Sequence, residues 1–133
     1  MGAEHKTFPK GTYLFKEGDS SDCMYLIRSG SVSIRKLKNQ GEVEIGKVYS
    51  DEVLGELSFF DRKPRSAAAV ALTDVEVLVI DFKSLDSIYK KVPSYLKTIM
   101  SAVAERLRKA DETIRSLERE YAENIPIKTK GKT

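Results

Sequence analysis

Tryptophan is absent from this chain, and cysteine and histidine occur once each. A single cysteine, Cys23, cannot close an internal disulfide, and it reads as a small buried apolar residue in a strand-like run. The lone histidine, His5, lies in a polar N-terminal segment and cannot supply the imidazole clusters of zinc or non-haem iron sites. With one histidine there is also no Ser-His or Cys-His pair for nucleophilic catalysis. No run approaches the roughly 18 apolar residues that a membrane span requires. Charge of one sign is scarce too. The 23 basic and 20 acidic residues leave a net charge of +3, and nucleic-acid binders usually concentrate a larger excess on one face. These absences predict a protein that is not an enzyme and has no metal or cofactor. One cysteine and no signal-peptide pattern predict a reducing cytoplasm.

What remains is 133 residues, 41% hydrophobic and 32% charged, which suits one soluble globular domain. Residues 1–7 read as a loose terminus. From there to about Ile80 the chain is a series of short β-like runs broken by turn residues. The run CMYLIRSGSVSIRK holds two strands hinged at Ser29-Gly30, with Val32 and Ile34 alternating against Ser31, Ser33 and Arg35. Lys38 to Glu42 reads as a hairpin turn, and Thr73-Asp74 as another, before VEVLVI. Many short strands with glycine-marked turns predict an all-β sandwich or barrel.

After Ile80 the pattern becomes helical. FKSLDSIYKK is a short amphipathic helix that Pro93 ends. From Ser94 to about Glu123 there is neither glycine nor proline, which predicts one long helix. Leu96, Met100, Val103, Leu107, Ala110, Ile114, Leu117 and Tyr121 step by four and three along it, an a/d seam. Beyond Leu107 the other faces are charged, among them Arg108, Lys109, Glu112 and Arg115. A narrow stripe on so long a charged rod predicts a parallel coiled coil between two copies, hence a homodimer. No helix-turn-helix pair is read in the sequence, so DNA is not an expected partner.

The run GELSFFDRKPRSA, Gly55 to Ala67, carries the chemistry. Gly55 lets the backbone be approached closely, and Glu56 can accept from a hydroxyl. Arg65 offers a planar fork of donors for phosphate oxygens, with the Ser66 hydroxyl and the Ala67 N–H beside it. An acceptor and a cationic fork this close suit a ligand carrying a hydroxyl and a phosphate. They equally suit a Glu56–Arg65 ion pair closing an ordinary loop, and spacing alone does not separate the two.

The order Gly-Glu-Leu, a loop with proline, then Arg-Ser-Ala resembles the phosphate-binding cassette of cyclic nucleotide-binding domains. That family includes the catabolite activator protein and the regulatory subunits of cAMP-dependent protein kinase. The likeness extends to FPKGTYLFKEGD, YLIRSGSVSI and VEVLVID, and so covers most of residues 8–110. It implies a mainly β fold with added helices: a β-jelly roll, a short helix and a long C-terminal dimerisation helix. The expected organisation is a nucleotide-binding jelly roll over 1–92, the dimerisation helix over 93–123 and a basic flexible tail over 124–133.

The resemblance also implies roles. Glu56 accepts from the ribose 2′-hydroxyl, the N–H groups of Gly55 and Leu57 face sugar and phosphate, and Ser58 stands beside them. Arg65 pairs with the cyclic phosphate, helped by Ser66 and Ala67. Val32, Ile45 and Leu54 wall the base. On the long helix, Ala110 and Asp111 fall where relatives of the activator-protein type touch the base. They are not the hydroxyl pair of those relatives, so the choice between cAMP and cGMP stays open. The implied function is a cyclic-nucleotide sensor, most readily for cAMP, that repositions its helix and signals to a protein partner still to be named. The alternative is a dimeric scaffold with a degenerate site. No membrane partner is expected.

Overall fold

The computed structural model describes residues 3–39 and 41–124, apart from the side chains of residues 111–116, 118, 119 and 121–124. The chain divides into two compact units, one ending at Val92 and the other starting at Pro93.

The first unit is a sandwich of two four-stranded antiparallel sheets. Its strands are β1 (Ala3–Phe8), β2 (Tyr13–Phe15), β3 (Cys23–Ser29), β4 (Val32–Lys38), β5 (Gly41–Val48), β6 (Val53–Leu54), β7 (Ala68–Ala71) and β8 (Val75–Asp81). One sheet runs β1-β8-β3-β6 and the other β2-β7-β4-β5. Nearly every sheet neighbour is distant in sequence, the arrangement of a jelly roll. A single turn, α1 (Leu57–Asp61), lies between β6 and β7, and α2 (Phe82–Tyr89) follows β8.

Period-two patterning puts alternate side chains inside. Val75 and Val77 of β8 are buried while Glu76 between them is exposed. They meet Phe8, Tyr25 and Ile27 of their own sheet and Leu14, Val32, Ala69 and Ala71 of the facing one in a single core. All four residues of β7 are buried, because it is a central strand and its small side chains let the layers close on it. Gly30 makes the β3–β4 turn at φ +93°, and a Cβ there would press on the backbone of Asp74 and Val75.

One expectation needs correction here. The terminus is not loose: residues 3–8 pair with β8 in an unbroken register from Ala3↔Ile80 to Phe8↔Val75. The segment AEHKTF reads as polar because β1 is an edge strand and only Phe8 turns inward. Its ladder comes from β8, which no local pattern reveals.

The second unit contains α3 (Ser94–Asn124), an uninterrupted helix of 31 residues. Of the expected seam, Leu96, Val103, Leu107 and Leu117 are exposed. The side chains of Ile114 and Tyr121 lie outside the described residues, as do residues 125–133 of the expected tail. No described helix is long and apolar enough to cross a membrane.

Candidate functional site

Two strand pairings build the site. Pairing of β6 with β3 sets Leu54 against Tyr25, and so brings Gly55 near the start of β3. Pairing of β7 with β2 sets Ala69 against Phe15, and so brings the residues just before β7 over the same region. Arg65 lies in the loop between α1 and β7 and enters that space.

Arg65 is 5% exposed. Its guanidinium carbon stands 4.3 Å from the Phe15 ring centroid and 5.8 Å from that of Tyr25. Nη2 donates to the Cys23 carbonyl at 2.7 Å and lies 3.7 Å from Cys23 Sγ. Nη1 packs against Gly55. Both Nη1 and Nε are buried without a hydrogen-bond partner. Among the described residues no carboxylate lies within 4.0 Å of the guanidinium, so the Glu56–Arg65 ion pair does not form. Burial leaves the donors unable to use water, and each unpaired buried donor carries a desolvation penalty of about 1–3 kcal/mol. A desolvated cation with unpaired N–H groups on Nε and Nη1 is able to take an anion.

Gly55 is approached closely by Arg65. It adopts φ +86°, and a Cβ there would collide with Arg65 Nη1. The close approach that glycine permits is made by the guanidinium. Gly55→Ala therefore strains the backbone and displaces the cation. We expect a loss of about 1–3 kcal/mol of unfolding free energy by urea titration, accompanied by weaker ligand binding.

Glu56 occupies the N-cap position of α1 at φ −70° and makes no side-chain cap bond. It has no ion-pair partner among the described residues, so its oxygens are free to accept from a ligand. Leu57 opens α1, and Ser58 is buried, with its carbonyl taken by the N–H of Arg62. Ser66 is exposed and Ala67 buried. The Ser66 carbonyl accepts from Lys36 Nζ.

The three residues expected to wall the base differ in exposure. Val32 at 0% and Leu54 at 8% exposure belong to the core cluster and turn little or no surface outward. Ile45 alone of the three is open, at 48%. It is open with the rest of β5, an edge strand exposed from Gly41 to Lys47, and it is the unpaired bulge residue where the β4–β5 register passes from Ile34↔Gly46 to Arg35↔Glu44. Ala110 is exposed on α3 in the second unit, and the side chain of Asp111 lies outside the described residues.

Sequence reasoning also missed contributors. Cys23 is half-buried and touches the cation, rather than being a plain core residue. Tyr25 has its hydroxyl pushed well above the usual phenol range, first by burial and then by the neighbouring Cys23 thiol. The alternation in CMYLI puts Cys23, Tyr25 and Ile27 on one face, which was the available signal.

Beyond the site, α1 is fastened to α2. Arg62 donates from Nε to the Phe59 carbonyl at 2.8 Å and from Nη2 to Asp86 at 2.7 Å. Its guanidinium lies 4.9 Å from the Phe59 ring and 5.1 Å from the Phe82 ring. Phe59 also meets Phe82 and Tyr89 edge-on.

The family model of the cyclic nucleotide-binding domain matches residues 5–92, and the chain belongs to that family. The cyclic AMP receptor protein of Thermus thermophilus is 30% identical over 122 residues, 91% of this chain and 56% of that protein. The type II regulatory subunit of cAMP-dependent protein kinase from Drosophila melanogaster is 34% identical over 82 residues, 61% of this chain and 22% of that protein. Among solved structures, the cAMP-bound form of the EAL enzyme Bd1971 aligns with a TM-score of 0.70 at 26% identity, over 90% of this chain and 32% of that one. The chain thus spans little more than half of the receptor protein and less of the others.

Proposed function

We propose that the chain is a cyclic-nucleotide sensor whose ligand is cAMP, held by Arg65 at the phosphate and Glu56 at the ribose. The observation that carries this reading is the buried Arg65 guanidinium with Nε and Nη1 unpaired. A cyclic phosphodiester brings one negative charge and acceptor oxygens, and replaces water that burial has already removed. The names of two relatives, a cyclic AMP receptor and a cAMP-dependent kinase subunit, favour cAMP over cGMP. The chain acts by binding and signals through its helices, as a homodimer along the α3 seam, to a downstream protein. Arg62 offers the mechanical link, since it couples α1 of the cassette to α2. A ligand shifts such a joint only by its differential affinity for the two poses.

The test is a thermal melt with and without cAMP, cGMP and adenosine. A nucleotide at about 100 times its dissociation constant adds about 2.7 kcal/mol of stability. We expect that gain with cAMP, a smaller one with cGMP and none with adenosine, which lacks the phosphate. No gain with either cyclic nucleotide returns the protein to the scaffold reading.

A further inference from the structure

The loop between β2 and β3 grips the cationic end of the cassette. The Gly18 N–H donates to the Arg65 carbonyl and the Arg65 N–H to the Asp19 carbonyl, both at 2.8 Å. One residue further on, the grip passes to side chains. Lys36 Nζ donates to the Ser66 carbonyl and pairs with Glu17 Oε2 at 3.2 Å. Glu17 Oε1 in turn accepts from the Leu37 N–H at 2.9 Å. The two charged side chains are only 21% and 26% exposed, so solvent screens the pair less than it would a surface pair.

This geometry has a consequence for the next amide. No peptide bond among the described residues is cis. In a trans peptide the carbonyl and the N–H point in opposite directions. Anchoring the Ser66 carbonyl on Lys36 therefore fixes the Ala67 N–H on the side away from Lys36. We propose that Lys36, braced by Glu17, is a positioning residue for the ligand: it orients the Ser66–Ala67 peptide so that the Ala67 N–H is presented to the phosphate without Lys36 touching the nucleotide. This rests on the nucleotide reading above. The chemistry recognised is a phosphodiester oxygen accepting from a pre-oriented backbone amide, and the ion pair sets how well that amide is held.

The experiment titrates cAMP into the full chain by calorimetry, for the wild type and for Lys36→Met, Lys36→Arg and Glu17→Gln. The amide proton of Ala67 is followed in parallel by nitrogen-15 NMR. Lys36→Met is expected to weaken cAMP about tenfold, the scale of one charge-assisted hydrogen bond. It is also expected to shrink the downfield shift of the Ala67 amide at saturating cAMP. Lys36→Arg, which can still donate to both partners, restores both readouts. Glu17→Gln keeps the acceptor for Leu37 but removes the charge, and gives an intermediate loss; it serves as the second variant should Lys36→Met fold poorly. A merely structural role would lower the melting temperature and leave the Ala67 shift in the complex unchanged. Lys36→Met or Glu17→Gln binding within twofold of wild type, with the same Ala67 shift, overturns the positioning role alone. Absence of cAMP binding by the wild type overturns the nucleotide reading and the positioning role with it.

Discussion

Arg65→Met is expected to abolish the stabilisation by cAMP while leaving the unliganded protein about as stable as before. The two effects separate because Arg65 is badly satisfied by the protein's own groups. Its removal takes away two buried unpaired donors, each with a penalty of about 1–3 kcal/mol. It also takes away the bond to the Cys23 carbonyl and the contacts with the Phe15 and Tyr25 rings, worth about 0.5–2 kcal/mol for a desolvated cation over an aromatic face. Methionine keeps most of the volume, so little cavity opens. The opposing terms offset each other, so no large loss of stability is expected. With cAMP present the variant lacks the cation that packs against Gly55, and the gain of about 2.7 kcal/mol at 100-fold saturation disappears. Glu56→Ala should lose part of the same gain, since it removes the proposed acceptor for the ribose and no described cap bond or ion pair. Melts of both variants with and without nucleotide are sufficient. An Arg65 whose removal unfolds the empty protein, with wild-type cAMP stabilisation intact in Glu56→Ala, would mean that the pair serves structure.

The second large effect concerns α3. Leu107 is 53% and Leu117 59% exposed, and both lie on the four-three seam. Replacing both with glutamate would place four carboxylates in the seam of the proposed parallel dimer. Each leucine removed forfeits about 1.5–3 kcal/mol of burial, and a charge in the seam adds desolvation and like-charge repulsion. Summed over two chains this exceeds 5 kcal/mol, or more than a thousandfold in dissociation constant. Native mass spectrometry and sedimentation should therefore find a dimer in the wild type and a monomer in the double variant, with the β-sheet signal in circular dichroism unchanged. A dimer that survives both charges would place the contact on another surface.

The alternation in VEVLVI, the hinge at Ser29-Gly30 and the glycine-free stretch after Pro93 were readable because each is a repeat within a few residues. The jelly-roll class followed from them together with the resemblance of the cassette. The strand at residues 3–8 was not readable, because an edge strand with one inward residue has no pattern of its own. Nor was the division of the expected wall. Val32 and Ile45 are both apolar residues in alternating runs, yet one is in the core and the other on the exposed edge strand β5, and which strand lies at the edge is decided only by the order of the sheet.

By itself the sequence determined which residue types stand in the cassette, their order, and the periodicities that make strands before Asp81 and helices after it. These are properties of neighbours along the chain, so they are written locally. Tertiary structure alone decided that Arg65 is dry, with Nε and Nη1 unpaired, and pressed on Gly55, and that Lys36 and Glu17 hold the peptide that follows it. Desolvation depends on what closes around a charge. Here the closing groups, Phe15, Cys23 and Tyr25, arrive from strands some forty or more residues away, as the bond between Arg65 and Cys23 across 42 positions illustrates.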